Sequence, residues 1–290
     1  MAFEPPQRLV RALGDNEWTG RLPELVEETA ARAGLEVERV MVPGGRSSLV
    51  VLVRRQDGTP AALKLVPPLA APELERAALA HWDGFGAVRL LGGSGGALLL
   101  ERLHPERSVR SLPEAKALLE AAGTVRRLWV EPPPGHAFET VAERTARQAS
   151  ALSDPAGTAP RALVDEALAA RGELLADAPE SLLLHGNFRQ SKVLSGDRAP
   201  WLAVGPEPLV GERAYDLARL ARDRVEDLVA ATSGASAARR RVNRLADSLD
   251  VDRDRLRGWT LFRAVESGTR AIVAGQHAEG ELSLEFAGWL

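Results

Sequence analysis

The chain changes from a strand pattern to a helical pattern a little after residue 100, and this change limits its possible folds more than any other feature. Before it, Val- and Leu-rich runs are separated by turn signals such as Gly44-Gly45 and Asp57-Gly58. These runs span residues 36–42, 48–54, 61–66, 88–91 and 97–103. After it, apolar residues recur mainly at helical spacing. Strands followed by helices indicate an α+β fold, with a small β-rich N-terminal lobe and a larger, mainly helical C-terminal lobe.

The predicted helices follow from periodicity and from Pro and Gly signals at their ends. They span residues 22–34, 72–82, 112–129, 138–152, 160–177, 212–231, 235–249 and 252–274. A short β-rich island at 181–204 interrupts the helices. We therefore expect one lobe at residues 1–103 and a second at residues 104–290, with the first three strands forming an antiparallel meander.

Composition excludes several classes of function. The 290 residues include no cysteine, which rules out disulfides and thiolate metal sites, and the net charge of -3 gives no pull toward nucleic acid. No run of eighteen apolar residues occurs, and the first residues lack the pattern of a signal peptide. We expect a cytoplasmic protein without nucleic-acid or membrane partners.

Only three of the 37 basic residues are lysines, and one of them lies on a predicted central strand. Lys64 follows Ala61-Ala-Leu, so its ammonium would be costly to bury without an anion. Protein kinases place such a lysine on their third strand, where it holds nucleotide phosphates and pairs with a glutamate of the next helix. Here Glu75 is the preferred partner and Glu73 the second. The alternative is a lysine at a sheet edge that reaches water.

The turn before this strand is a second candidate for phosphate contact. Gly44, Gly45, Ser47 and Ser48 lie between the first two strands, where backbone N–H groups and hydroxyls can approach a phosphate. The segment is not the GxGxxG form of the kinase loop. A plain hairpin turn needs the same residues, so both interpretations stay open.

The segment Leu182-Leu-Leu-His-Gly-Asn-Phe-Arg-Gln-Ser-Lys-Val-Leu194 decides the question of catalysis. A kinase catalytic loop reads H-R-D-x-x-x-x-N, in which Asp orients the acceptor hydroxyl and Asn binds Mg²⁺. Aligning His185 with the motif places Asn187 at the catalytic Asp and Lys192 at the metal-binding Asn. The second metal ligand, an Asp, is expected after the strand at 201–204, where the chain has Gly205.

Each replacement removes a required property. The amide of Asn187 cannot take a proton, and losing a general base costs about two to four decades in rate. Lys192 brings a positive charge to a cation site, and Gly205 offers no side-chain oxygen. The Lys192 ammonium is also a candidate substitute for part of the missing ion's charge, and a solvated surface lysine is the alternative.

Taken together, these segments resemble the aminoglycoside and hydroxyurea phosphotransferases, specifically the streptomycin kinase branch of bacterial antibiotic-resistance kinases. The matching segments are Asp57-Gly-x-x-Ala-Ala-Leu-Lys64, residues 82–91, Leu98–Leu103, Leu184-His-Gly186, residues 206–218 and Ala264–Ser267. The resemblance implies a protein-kinase-like two-lobed fold. It also implies that Lys64 and Glu75 form the phosphate-binding pair and that the hinge against adenine includes Glu101 and Leu103.

The same resemblance defines where this chain departs from its family. The family pattern is His-Gly-Asp-Leu-His-x-x-Asn followed by Asp-Pro-Lys-Pro, and here these read His-Gly-Asn-Phe-Arg-x-x-Lys and Gly-Pro-Glu-Pro. The first hypothesis is a pseudokinase that binds ATP, another nucleotide or a small ligand, without a confident Mg²⁺ site; a protein partner is left open. The alternative is an active ATP-dependent kinase that phosphorylates an alcohol group of an aminoglycoside-like or hydroxyurea-like substrate, with Asp197 or Glu207 as a replacement ligand.

Overall fold

The computed structural model describes residues 3–154, 159–230 and 232–290. Its strands are β1 (Leu35–Val40), β2 (Leu49–Arg55), β3 (Pro60–Leu65), β4 (Leu90–Gly92), β5 (Ala97–Glu101), β6 (His104–Ser108), β7 (Leu182–Leu184), β8 (Val193–Ser195), β9 (Leu202–Ala203) and β10 (Leu209–Gly211). Its helices are α1 (Gln7–Leu13), α2 (Glu17–Gly20), α3 (Leu22–Ala33), α4 (Pro72–Trp82), α5 (Glu114–Val125), α6 (Val141–Leu152), α7 (Arg161–Ala176), α8 (Arg213–Ala221), α9 (Val225–Val229), α10 (Gly234–Leu249), α11 (Arg253–Val273) and α12 (His277–Ala287).

The chain forms two compact units. The first contains the chain up to Arg107 together with Leu194–Val204, and the second contains Ser108–Val193 and Gly205–Leu290. The lobes expected at residues 1–103 and 104–290 stay a prediction; in the structure, Leu194–Val204 groups with the first compact unit. The physical reason is backbone pairing, since Val88 N–H donates to Ala203 O at 2.8 Å and Ala203 N–H donates to Gly86 O at 2.9 Å.

The first unit is built on an antiparallel sheet of order β1-β2-β3-β5-β4. The predicted meander of three strands is confirmed by β1, β2 and β3. Lys64 on β3 lies opposite Val50 on β2 and Leu98 on β5, so it is in the interior of the sheet. Helix α3 buries Leu22 and Val26 in one apolar cluster with the inner residues of β2 and β3.

The second unit is mainly helical, with α11 packed against α7, α8 and α12. Tyr215, Trp259 and Phe262 form its aromatic core through edge-to-face contacts between ring centroids 5.2 and 6.0 Å apart. Strand β7 pairs antiparallel with β10, and the two-stranded sheet leads directly into the segment that starts at His185. The predicted β-rich island therefore exists.

One helical prediction needs correction, and three helices, α1, α2 and α12, were not predicted. The span predicted as one helix at 212–231 is α8 and α9, separated at Arg224, whose φ of +54° ends helical geometry. Residue 231 lies outside the described residues, as do 155–158 within the predicted break at 154–160. Helix α12 was not predicted, because it has no side-chain N-cap and contains an internal glycine, so its local signal is weak. None of the described helices is both long and apolar enough to span a bilayer.

Candidate active site

The first unit contains the predicted lysine–glutamate pair. Lys64 Nζ donates to Glu75 Oε1 at 2.6 Å and to Oε2 at 2.5 Å, and the two side chains are 11% and 8% exposed. Glu75 lies in the first turn of α4, which begins with Pro72 as the sequence indicated. The ion pair removes the cost of burying an isolated ammonium and holds the Lys64 side chain in one position. Its contact with a nucleotide stays a prediction.

The turn between β1 and β2 is more open than this pair. Gly45 and Ser47 are exposed, Gly44 is half-buried, and only Ser48 is buried. The loop runs without regular structure from Met41 to Ser48. Its exposed backbone is compatible with either interpretation of the sequence, a phosphate contact or a plain turn, so the assignment of these residues stays a prediction.

Glu101, assigned to the adenine hinge, uses its side chain for a structural contact. Its Oε1 accepts a hydrogen bond from Arg198 Nη2 and one from the Arg89 backbone N–H, both at 2.6 Å. Leu103 is buried and approaches Gly196. The Glu101 N–H is also engaged, since it donates to Arg89 O at 3.0 Å, and the hinge role of Glu101 and Leu103 stays a prediction.

The loop at His185 is held by a buried carboxylate. Asp216 on α8 accepts hydrogen bonds from the backbone N–H groups of His185 at 2.8 Å and Gly186 at 2.7 Å, and from Trp129 Nε1 at 3.3 Å. Burial raises the pKa of Asp216, although the two backbone donors and the nearby Arg263 oppose the rise. Asp216 thus has a structural role, since it fixes the backbone that presents Asn187.

Gly186 allows this loop to lie against the irregular segment that leads into β10. Its φ is +77°, and a Cβ at this position would lie 2.0 Å from the carbonyl oxygen of Glu207. The Glu207 N–H in turn donates to His185 O at 2.9 Å. Only glycine satisfies both the left-handed backbone and the close contact.

Asn187, at the position of the catalytic Asp, contacts an acidic side chain. Its Nδ2 donates to Glu207 Oε1 at 2.6 Å. Desolvation opposes ionisation of the Glu207 carboxyl, but Lys192 and the hydrogen bond from Asn187 outweigh it and hold its pKa below the usual range. His185 is fully buried, with its ring edge-on to Phe188, so it supports the loop from inside.

Lys192, at the position of the metal-binding Asn, contacts the position of the other metal ligand. Lys192 Nζ donates to Gly205 O at 2.8 Å, and a Cβ on Gly205 would lie 2.7 Å from the same nitrogen. The ammonium therefore lies where a side chain at position 205 would begin. In the part of the chain that the structure describes, no group of three or more His, Cys, Asp or Glu side chains could hold a metal ion. Mg²⁺ requires several oxygen ligands, and neither Lys192 nor Gly205 has a side-chain oxygen, so the absence of a Mg²⁺ site here stays a prediction.

Two carboxylates that follow this loop in the sequence, Glu212 and Glu226, are engaged by partners from other segments. Glu212 accepts from Arg255 and from Trp259 Nε1, and Glu226 pairs with Arg110. In the first unit, Asp197 contacts His104 Nε2 at 2.8 Å, so this proposed replacement ligand has a local partner. The sequence did not reveal these partners, because they come from distant segments.

Solved structures with the same fold give the class of the protein. The chain superposes on the aminoglycoside phosphotransferase APH(4)-Ia, solved as a thermostable mutant in ternary complex with ADP and hygromycin B, with a TM-score of 0.61. The two sequences are 15% identical, and the match covers 92% of this chain and 97% of the other. A β-rich unit with a lysine–glutamate pair and a helical unit with the His185 loop define a protein-kinase-like α+β fold.

Sequence comparisons give the family. The model of the aminoglycoside/hydroxyurea antibiotic resistance kinase family matches residues 33–275, and the chain belongs to this family. Streptomycin 6-kinase of Streptomyces glaucescens is 35% identical over 279 residues, covering 92% of this chain and 89% of the relative. Hydroxyurea phosphotransferase of Kitasatospora aureofaciens is 36% identical over 283 residues, covering 93% and 79%. The predicted family resemblance is confirmed.

Proposed function

We propose that this chain is a member of its family that binds a nucleotide, with ATP as the first candidate, or another small ligand, and transfers phosphate slowly or not at all. The contact between the Lys192 ammonium and the Gly205 carbonyl is the observation that supports this most directly. Both positions belong to metal ligands in the family pattern, and an ammonium there repels a divalent cation. Phosphoryl transfer depends on that cation to neutralise the phosphates.

Asn187 adds a second defect to the first. Its amide donates to Glu207, whereas a catalytic Asp would accept the proton of a substrate hydroxyl. The Lys64–Glu75 pair has the residue types that kinases use to hold phosphates, and nothing in it is altered. Retained binding with impaired transfer is therefore the function that these contacts favour.

The second candidate is an active ATP-dependent kinase acting on an alcohol group of an aminoglycoside-like or hydroxyurea-like compound. The names of the relatives, streptomycin 6-kinase and hydroxyurea phosphotransferase, support it. Glu207 also supports it, because an ionised carboxylate beside Asn187 is a conceivable base or oxygen ligand. The two candidates make opposite predictions for turnover.

The test combines ATP calorimetry, with and without Mg²⁺, and a phosphotransfer assay. The triple variant Asn187→Asp, Lys192→Asn, Gly205→Asp restores the family residues and removes the ammonium that a side chain at 205 would meet. We expect the unaltered protein to bind ATP in EDTA without turnover, and the triple variant to gain Mg²⁺-dependent turnover. Rapid turnover by the unaltered protein would favour the second candidate, and absence of ATP binding would contradict the proposal.

The contribution of Lys192 is measured in the same experiment. Lys192→Ala should weaken ATP binding in EDTA about tenfold or more, because charge-assisted contacts to phosphate are worth about 1.5–3 kcal/mol. Lys116→Ala is the matched control, since Lys116 is an exposed lysine on α5. Equal affinities of the Lys192 and Lys116 variants would remove the idea that the ammonium replaces part of the ion's charge.

A further inference from the structure

In the described part of the second unit, two arginines make no hydrogen bond and no close ion pair through their guanidinium groups. Arg189 follows Asn187 by two residues, and Arg219 lies on α8; both are half-buried. Within residues 3–154, 159–230 and 232–290, neither guanidinium makes a hydrogen bond or a close ion pair, and Arg189 Nε is buried without an acceptor. Buried guanidinium groups are normally paired, because an uncompensated charge in the interior is costly.

The position of Arg219 follows from the contacts on either side of it. One turn before it, the Tyr215 carbonyl accepts from Arg263 Nη1 at 2.9 Å. Three residues after it, Arg222 Nη2 donates to Ser267 Oγ at 2.9 Å. Because these contacts fix both ends of this turn of α8 against α11, Arg219 lies beside the α11 face that contains Arg263, Ser267 and Arg270.

The loop that contains Arg189 lies along the same face. At one end, Gly186 O accepts from Arg263 Nη2 at 2.9 Å. At the other end, the Gln190 N–H donates to the Asp223 carboxylate, one turn beyond Arg219. Arg189 is between these two attachment points, so the guanidinium groups of Arg189, Arg219 and Arg263 are brought into one region.

The electrostatics agree with this arrangement. Burial, followed by repulsion from Arg189 and Arg263, lowers the pKa of Arg219 to about 10. Burial raises the pKa of Asp223, the nearest acid, although Gln190, Arg219 and Arg189 oppose the rise. Arg270 is already paired with Glu266 at 2.9 Å. The described acids therefore leave part of the positive charge uncompensated.

The buried side-chain amide of Gln190 is an independent indication of a ligand. The side chain of Gln190 is fully buried, and neither its Oε1 nor its Nε2 has a partner in the described chain. Buried polar atoms without partners are rare in native proteins and call for an explanation. Gln190 is adjacent to Arg189 and attached through its backbone to Asp223, so its unmet hydrogen bonds belong to the same region.

We infer that Arg189 and Arg219 form a binding site for the anionic group, a phosphate or a carboxylate, of a small-molecule ligand. Arginine forks match both groups through paired N–H donors. This inference rests on the proposed function in one respect, since it names the chemical class of the small ligand that the second unit binds. Aminoglycosides are polycations, whereas Glu212 and Asp216 are buried and already accept hydrogen bonds from Arg255, Trp259 and two backbone N–H groups.

The test titrates the nucleotide-free protein with inorganic phosphate, succinate and streptomycin by calorimetry at low ionic strength. Wild type should bind phosphate or succinate, and Arg189→Gln and Arg219→Gln should each weaken that binding about tenfold or more, because each removes charge-assisted hydrogen bonds. Arg257→Gln is the matched control, since Arg257 is an exposed arginine of α11 that pairs with Asp254. Lys64→Met separates this site from the predicted phosphate pair of the first unit.

Several outcomes would overturn the inference. These are binding of neither anion by wild type, equal losses in the Arg257 variant, loss of anion binding in the Lys64 variant alone, and binding of streptomycin in place of the anions. Apo Arg219→Gln should melt no lower than wild type, because it relieves repulsion; a lower melting temperature would indicate a structural role and count against the site. Failure of the proposed function would be seen in a separate assay, as rapid turnover with ATP, because these titrations contain no ATP.

Discussion

At the scale of single residues, the charges at the altered site lie at different positions from those of the family pattern. The family pattern has an Asp at 205 and a Lys at 207, whereas this chain has Gly205, Glu207 and a lysine at 192. The ammonium and the carboxylate still act on each other, since Lys192 lowers the pKa of Glu207. Asn187 completes the set by donating to Glu207. These substitutions fit one another, which is expected of a rearranged site and unexpected of unrelated decay.

The interaction between Lys192 and Glu207 predicts a pH-dependent contribution of Glu207 to stability. The folded pKa of Glu207 is below that of the unfolded chain, so its stabilisation is complete above the unfolded pKa of about 4.3 and disappears as pH falls through the folded pKa. Glu207→Gln keeps an acceptor for Asn187 and removes the charge. Because Glu207 as a residue is exposed, although its carboxyl group is partly desolvated beside Lys192, we expect a loss of only about 0.5–1 kcal/mol in the free energy of unfolding at pH 7.

Urea unfolding at several pH values measures this effect. The curves of wild type and Glu207→Gln should converge in acid, whereas Glu281→Gln, which alters an exposed glutamate of α12, should follow wild type throughout. A difference between wild type and Glu207→Gln that is independent of pH would show that Lys192 does not act on Glu207 as described.

At the scale of elements, α8 connects the fold to the site. Its N-cap residue Glu212 accepts from Arg255 Nε and Nη2 and from Trp259 Nε1, each at 2.6 Å, which attaches its start to α11. In its first turn, Asp216 fixes the backbone of the His185 loop. The same helix therefore depends on α11 for its position and determines the position of Asn187.

Breaking the attachment at Glu212 should be costly. Glu212 is 3% exposed, so Glu212→Gln leaves the Arg255 guanidinium without its charged partner in a partly buried place. We expect a loss of about 3–5 kcal/mol in the free energy of unfolding, which is typical of a broken buried ion pair. Glu226→Gln removes an exposed pair with Arg110 and should cost under about 1 kcal/mol. Similar losses for the two variants in urea unfolding would contradict this role.

Local sequence signals were sufficient for most elements and failed where packing decides. Helix α4 begins and ends at the residues expected, because Pro72 is favourable at its start and apolar residues recur at helical spacing. The break at Arg224 was missed because an arginine does not predict a left-handed backbone. Helix α12 was missed because contacts with α11, which periodicity does not report, stabilise it.

At the scale of the whole molecule, the changes are confined to one of the two units. The first unit retains Lys64 and Glu75 in direct contact, and the altered positions 187, 192, 205 and 207 all belong to the second. If binding was retained while transfer was lost, nucleotide affinity should depend on the first unit's lysine and depend little on Mg²⁺.

Lys64→Met tests this dependence. It removes the ammonium while keeping an apolar side chain, and ATP binding in EDTA should weaken about ten- to a hundredfold, because each charge-assisted contact is worth about 1.5–3 kcal/mol. Lys116→Met, on the surface of α5, is the control and should bind like wild type. Calorimetry with intact affinity in the Lys64 variant would contradict the assignment of Lys64 to the phosphates.

The sequence by itself determined the fold class and the family, and it predicts which catalytic positions are altered. These follow from patterns that are read locally, namely strand and helix periodicity and the spacing of His185, Asn187 and Lys192. It also proposed Glu75 as the partner of Lys64, because helix and strand follow each other closely in the chain.

Only the tertiary structure decided what the altered residues contact. Segments that are distant in sequence form the Lys192–Gly205 hydrogen bond and the Asn187–Glu207 pair. Distant segments also surround the guanidinium groups of Arg189 and Arg219, which make no hydrogen bond within the described residues. Burial and charge compensation are properties of the packed interior, where each group's cost depends on every neighbour within a few ångströms. No local pattern contains that information, and for this reason the anionic ligand site emerged only from the folded chain.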